Sequence, residues 1–191
     1  MREDRTTAVQ QDPGREVAFS RWLVLARTLA WVAVVGLTLW LLSITLREID
    51  GLGRIRFGVP KYDVNLHPFS NKAQLLQNLG SPVRAARRAA QAGLFVDVLG
   101  NVAVFVPFGA ALAVATLLQP GRLRRTKFWP WWLKISLAGL ALSLFIEIGQ
   151  LAIPGRVTDI DDVILNTLGA AIGALAVWYL FRLSLRGERE N

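Results

Sequence analysis

Two short stretches of this chain set carboxylates, amides and an arginine inside sequence that is otherwise apolar. In SLFIEIGQ, residues 143–150, Ser143, Glu147 and Gln150 recur at helical spacing and share one narrow stripe. In RVTDIDDVILNTLGAAIG, residues 156–173, Asp159, Asp162, Asn166, Gly169 and Gly173 follow one another at steps of three and four and form a second stripe. Pro154, Gly155 and Arg156 lie between them as a turn, so the two helices are expected to run antiparallel with their polar faces meeting. A third pair, Asp97 and Asn101, stands one helical turn apart in another apolar run. Such carboxylates can act as acid and base when their surroundings divide their proton affinities. Combined with cations they can instead hold a polar head group.

The elements that must position these residues are membrane helices. Hydrophobic residues make up 53% of the 191-residue chain and are gathered in long runs, and a bilayer core of about 30 Å needs roughly 20 helical residues to cross. The runs predict spans at about 28–46, 94–118, 135–153 and 163–181. The expected fold class is all-α, a polytopic membrane protein of four transmembrane helices with an interfacial amphipathic helix in the long first loop. Residues 1–20 and 183–191 read as polar cytoplasmic tails, and 21–182 as the membrane domain. The first span ends in LLSITL, which offers no small-residue cleavage site, so it is expected to stay as an anchor.

In the loop from Arg47 to Gly93, the part up to VNLHPFS is expected to be irregular and the part after it amphipathic. Leu75, Leu76, Leu79, Val83 and Leu94 would face lipid, Arg84, Arg87 and Arg88 would meet phosphates, and Gly80 to Pro82 would break the run. Pro107 in the second span frees a carbonyl and invites a kink. Trp129, Trp131 and Trp132 are expected in an interfacial belt, with Trp178, Tyr179, Arg182 and Arg186 as anchors at the end of the fourth span.

The net charge of +8 flanks apolar spans, where it sets orientation and meets lipid head groups, so no nucleic-acid partner is called for. The N-terminal tail, the 119–134 loop and the C-terminus are basic, while the 154–162 turn sets one arginine against three aspartates. Both termini are therefore expected in the cytoplasm, with the long loop and the polar turn outside. The chain has no cysteine, which excludes disulfides and thiolate chemistry. The lone His67 sits beside Pro68 without a second histidine, so no metal site and no cofactor are expected.

NLHPF at 65–69, NVAVFVPFG at 101–109, SLFIEIGQ at 143–150 and RVTDIDDVILNTLGAAIG at 156–173 resemble the VanZ-like family of bacterial membrane proteins. The resemblance covers roughly residues 28–182. Its founding member is associated with low-level resistance to the glycopeptide teicoplanin. The resemblance implies a multi-pass protein of the bacterial cytoplasmic (inner) membrane, and it points to Asn101, Pro107, Glu147, Gln150, Arg156, Asp159, Asp162, Asn166 and Gly169. It supplies a phenotype and no reaction.

A carboxylate within a span is costly unless paired. Glu147 is read either as a structural ion pair with Arg156 or as a ligand contact. Thr158 with Asp161 three residues on forms a capping box, which assigns Asp161 to helix capping and leaves Asp159 open between capping and binding. Asp162 lies further into the helix and reads as functional. Asn166 can bond a neighbouring helix, and Gly169 with Gly173 forms a close-packing face.

Asp97, Glu147, Asp159 and Asp162 face only Arg156 among the span residues. Relief could come from a proton on Glu147, from a divalent cation, or from Arg84, Arg87 and Arg88 folding down. The last is preferred, because it makes a mixed-charge pocket.

The expected ligand-binding set is Asp97, Asn101, Glu147, Gln150, Arg156, Asp159, Asp162 and Asn166. Its expected partner is a membrane lipid head group, a lipid-linked wall precursor, or a glycopeptide or lipopeptide drug. The alternative is an intramembrane enzyme with Glu147 or Asp162 as acid or base, although no P-loop, HExxH or GxSxG signature is present. Four spans without internal duplication make transport by a single chain the weakest reading.

Overall fold

A computed structural model describes residues 13–46, 63–119, 127–153 and 157–190. The protein is all-α, with four helices long and apolar enough to cross a membrane. Helix α1 spans Pro13–Thr45, α2 Ser70–Leu79, α3 Arg84–Leu94, α4 Gly100–Leu117, α5 Phe128–Gln150 and α6 Ile160–Glu190. Two short strands, β1 (Asp63–Asn65) and β2 (Val157–Asp159), pair in parallel with Asp63 opposite Val157 and Asn65 opposite Asp159.

The helices run past the bounds that apolarity alone suggests. Helix α1 opens at Pro13, inside the stretch read as a tail, with proline at the first position, where its missing N–H costs nothing. Residues 1–12 of that tail lie outside the described residues. Helix α6 continues to Glu190, past the apolar span that ends at Ser184, so the polar stretch that follows is helical. Adding a turn to an existing helix needs no new nucleus, which is why both ends overrun. Helix α5 starts at Phe128, earlier than the expected 135, and accommodates Pro130 in its first turn, where backbone N–H groups have no intrahelical acceptor.

The amphipathic part of the long loop divides at Gly80 to Val83 into α2 and α3, as its sequence suggests. Helix α3 is not a separate segment. It runs through a π-helical turn, Phe95–Leu99, directly into α4, giving one apolar helical path from Arg84 to Leu117. Pro107 lies within α4 on an exposed face.

Helix α6 packs against both α4 and α5, and α1 lies on α4. Small residues set these distances. A side chain at Gly169 or Gly173 would run into the Val102 or Val106 carbonyl of α4, one at Gly109 would strike the Ala170 backbone of α6, and one at Gly139 of α5 would meet the Ala170 methyl. Close backbone approach of this kind replaces the hydrophobic drive that lipid cannot supply.

Helix α1 buries Ala30, Val34 and Leu41 on one stripe and exposes Trp22, Leu29, Val32, Leu39 and Trp40 elsewhere. An apolar exterior on an apolar helix is the pattern of a lipid-facing surface. Thr28, Thr38 and Thr45 return their hydroxyls to carbonyls four residues back, which satisfies them without water.

One end of the bundle is aromatic. Trp131 is buried there, donating its indole N–H to Thr116 at 3.0 Å, and its ring lies 5.2 Å from that of Trp178. Trp132 donates to the Ala171 carbonyl, and the Arg182 guanidinium sits over Trp178. Trp129 and Tyr179 are exposed, consistent with an interfacial belt, but Trp131 is a core residue. Its indole finds a partner in Thr116 one helix away, which removes any need for the water interface. The basic residues Arg122, Arg124 and Arg125 lie outside the described residues.

Candidate functional site

The opposite end holds the polar residues, and it is built from the α5–α6 junction outward. The last turn of α5 and the first turn of α6 approach each other because Glu147 faces the incoming chain. Its Oε2 accepts the Asp159 backbone N–H at 3.1 Å, and its carbonyl accepts the Thr158 hydroxyl at 3.1 Å. A turn deeper, Asn166 donates to the Ser143 hydroxyl at 2.9 Å. Ser143, Glu147 and Asn166 are all buried, so the two stripes do meet. Arg156, the expected partner of Glu147, lies outside the described residues, as do Pro154 and Gly155.

The stripes then diverge. Gln150 turns to α1 and donates to the Thr45 carbonyl at 3.3 Å, satisfying part of that helix's C-terminal end. Asp162, half-buried, turns to α4 and accepts from the Asn101 amide at 2.6 Å. Asp97 sits on the π-helical turn just before Asn101, half-buried and within electrostatic reach of Asp162. Single π-helical turns of this kind recur at functional sites.

Two capping roles differ from those expected. Asp159, not Asp161, caps α6: its Oδ1 accepts the Asp161 backbone N–H at 3.0 Å. Thr158, spent on the Glu147 carbonyl, makes no capping box. Asp161 is thereby released to reach outward, where it is fully buried by the long loop. Its Oδ1 accepts the Phe69 N–H at 2.6 Å, and its Oδ2 meets the Lys72 ammonium at 3.1 Å. Lys72 also lies 3.7 Å from Asp159.

Among the described residues, the cation that meets the carboxylates is Lys72, which sequence reasoning missed. Arg84, Arg87 and Arg88 do not fold down. They are exposed on α3, because the helix that carries them is held in line with α4 and turns their stripe away. Burial pulls the Lys72 ammonium pKa down, but the bond to Asp161 and the charges of Asp159, Asp161 and Asp162 outweigh it and hold the group above its ordinary 10.5. A signal did exist: Lys72 is the one lysine between Leu66 and Gly121 and stands two residues after NLHPFS.

That NLHPFS segment is shaped to deliver it. Asn65 Oδ1 accepts both the His67 N–H and the Ser70 hydroxyl at 3.2 Å, an Asx-type turn that bends the chain from β1 into α2. Phe69, before α2, has φ 59°, a left-handed conformation that a bulky residue seldom adopts. This conformation aims its N–H at Asp161. Asn65 Nδ2 is buried without an acceptor among the described residues. His67 is exposed, and no group of three or more histidine, aspartate or glutamate side chains suited to a metal ion occurs among the described residues.

What the arrangement can do follows from its openness. Glu147, Asp159 and Asp161 are buried and spend oxygens on backbone N–H groups, so they hold the framework. Asp162, Asn101 and Asp97 are only half-buried, and they offer carboxylate and amide oxygens to an incoming donor.

Comparison with curated proteins and with solved structures finds no match for this chain. The VanZ/LLP1 family model matches residues 27–182, which reaches into all four membrane helices and includes every residue of the polar end described above. The chain therefore belongs to the VanZ/LLP1 family, as a multi-pass membrane protein.

Proposed function

We propose that the polar end binds the head group of a membrane lipid or a lipid-linked wall precursor at the outer face of the bacterial cytoplasmic membrane, with both termini in the cytoplasm. The observation that carries this reading is the half-open Asp97, Asn101 and Asp162 group beside the buried Lys72–Asp161 ion pair. Buried ion pairs seldom repay their desolvation as stability alone, so their presence favours a site that must be held in one geometry. Carboxylate and amide oxygens suit a head group that carries hydroxyl or amine donors. The exposed arginines of α3 supply positive charge for a phosphate nearby. In this reading Gln150 and Asn166 support the site from α5 and α6, and Arg156 belongs to its binding set by sequence. In this reading, occupancy of wall precursors lowers susceptibility to teicoplanin.

The test compares cells expressing wild type, Glu147→Gln or Asp162→Asn at matched membrane levels. Wild type is expected to lower teicoplanin susceptibility and to retain lipid or precursor through purification. Asp162→Asn should lose both, and Glu147→Gln should lose most of both. Retention that is equal in all three proteins would overturn the reading.

One observation favours a second reading. Asp162 is accessible and bonded to a neutral amide, as a general base would be, so chemistry on the bound head group is the alternative. Glu147 is a poorer base, because its carboxylate holds the Asp159 N–H. A precursor or lipid whose mass changes only with wild type, and not with Asp162→Asn, would select this reading.

A further inference from the structure

We infer that the segment from β1 through α2 is a lid over the acidic end of the bundle and that Lys72 is its latch. The lid's purpose rests on the head-group reading above, but its existence does not. Asp161 has no exposed surface, and the groups that meet its two carboxylate oxygens are the Phe69 N–H and the Lys72 ammonium, both from this segment. Lys72 itself is 6% exposed although it stands on a short helix that is otherwise largely open.

The way α2 is attached makes it a lid rather than a wall. Its apolar residues belong to neither hydrophobic core cluster of the bundle. Leu75 packs on Gly93 of α3 and Leu76 is exposed, and α3 is the helix that α2 packs against. The ties to the bundle are polar: the parallel β1–β2 pairing, the Phe69 to Asp161 hydrogen bond, and the Lys72 contacts with Asp161 and Asp159.

Polar ties can be exchanged for water or for a ligand's own polar groups, whereas apolar packing cannot, so a segment attached this way opens without unfolding its neighbours. The left-handed Phe69 adds strain that the closed form must hold and the open form releases. Gly80 to Val83 separates α2 from the continuous α3–α4 helix, so α2 can move while α3 stays. Opening bares Asp159 and Asp161 next to Asp162 and joins the buried framework to the half-open group.

The test is hydrogen exchange on purified full-length protein in nanodiscs without added ligand, read on peptides covering 63–80 and on peptides from α4, α5 and α6. In wild type the 63–80 peptides are expected to exchange measurably faster than the α6 core, while staying slower than an open chain. Lys72→Met should speed their exchange at least tenfold and leave α4 to α6 unchanged, and Lys72→Arg should restore much of the protection.

Unchanged exchange of 63–80 in Lys72→Met would overturn the latch. Loss of protection spreading through α4 to α6 would make Lys72 a structural pillar and overturn the lid. If Lys72→Met does not insert, Asp161→Asn is read by the same criteria, since it keeps an oxygen for the Phe69 N–H and removes the charge. Because no ligand is present, a failure of the head-group reading leaves this result standing.

Discussion

The two ends of the bundle solve one problem, burying polar atoms between helices, by opposite means. At the aromatic end, indole N–H groups of Trp131 and Trp132 are satisfied by Thr116 and by the Ala171 carbonyl, and the rings stack over them. At the other end, an ammonium and several carboxylates are buried, where they meet one another in ion pairs and accept from backbone N–H groups. The first arrangement gains packing and neutral hydrogen bonds at little desolvation cost. The second must offset the removal of full charges from water. If holding helices together were the whole task, the aromatic solution would serve at both ends. The contrast argues that the charged end is kept for what it can contact, and the openness of Asp162 and Asn101 there agrees with that.

The sharpest way to break the comparison is to strand one charge. Lys72→Met strands Asp161 without its cation in the closed form and should cost that form about 3 to 5 kcal/mol of local stability at the polar end. Adding Asp161→Asn removes the second charge and should return most of that loss, since a neutral pair of similar shape is often as stable as the ion pair it replaces. Ligand retention should stay lost in the double variant. Recovery of both stability and retention would show that the charged end is scaffold like the aromatic one. At that end, Trp131→Phe removes a hydrogen bond and some ring volume, with an expected cost of about 1 to 2 kcal/mol. Denaturant titration in micelles should register it, while exchange of residues 63–80 stays at the wild-type rate.

The difference between the ends also marks what a sequence discloses. Ser143, Glu147 and Asn166 were legible because helical periodicity within an apolar run says that they are buried and on facing stripes. Gly169 and Gly173 were legible for the same reason, as were the four spans. What periodicity cannot convey is a contact made across the chain by a loop. Asp161 and Lys72 are 89 positions apart, and their meeting depends on the β1–β2 pairing, the Asx turn at Asn65 and the left-handed Phe69. Local rules gave Asp161 to a capping box because Thr158 stands three residues before it. The fold gave Thr158 to Glu147 instead, and Asp159 took the cap. Trp131 shows the same limit at the other end, since a tryptophan near a span terminus reads as belt until its partner on another helix is known.

The smallest expected effect is the response of the lid to pH, and its sign separates a lysine latch from a carboxylate one. The Lys72 ammonium is held above 10.5 in the folded protein, so it binds its proton more tightly there than in the unfolded chain. The resulting stability is fully present below about 10.5 and is lost as pH rises through the folded value. Once exchange is corrected for its intrinsic pH dependence, protection of residues 63–80 should therefore stay flat through neutral and mildly alkaline pH and fall only at the alkaline extreme. Lys72→Arg should move that fall further still, because guanidinium keeps its proton. A loss of lid protection already near neutral pH on the alkaline side would mean that a group other than Lys72 holds the segment down, and the contrast between a charged end and an aromatic end would then rest on Asp162 and Asn101 alone.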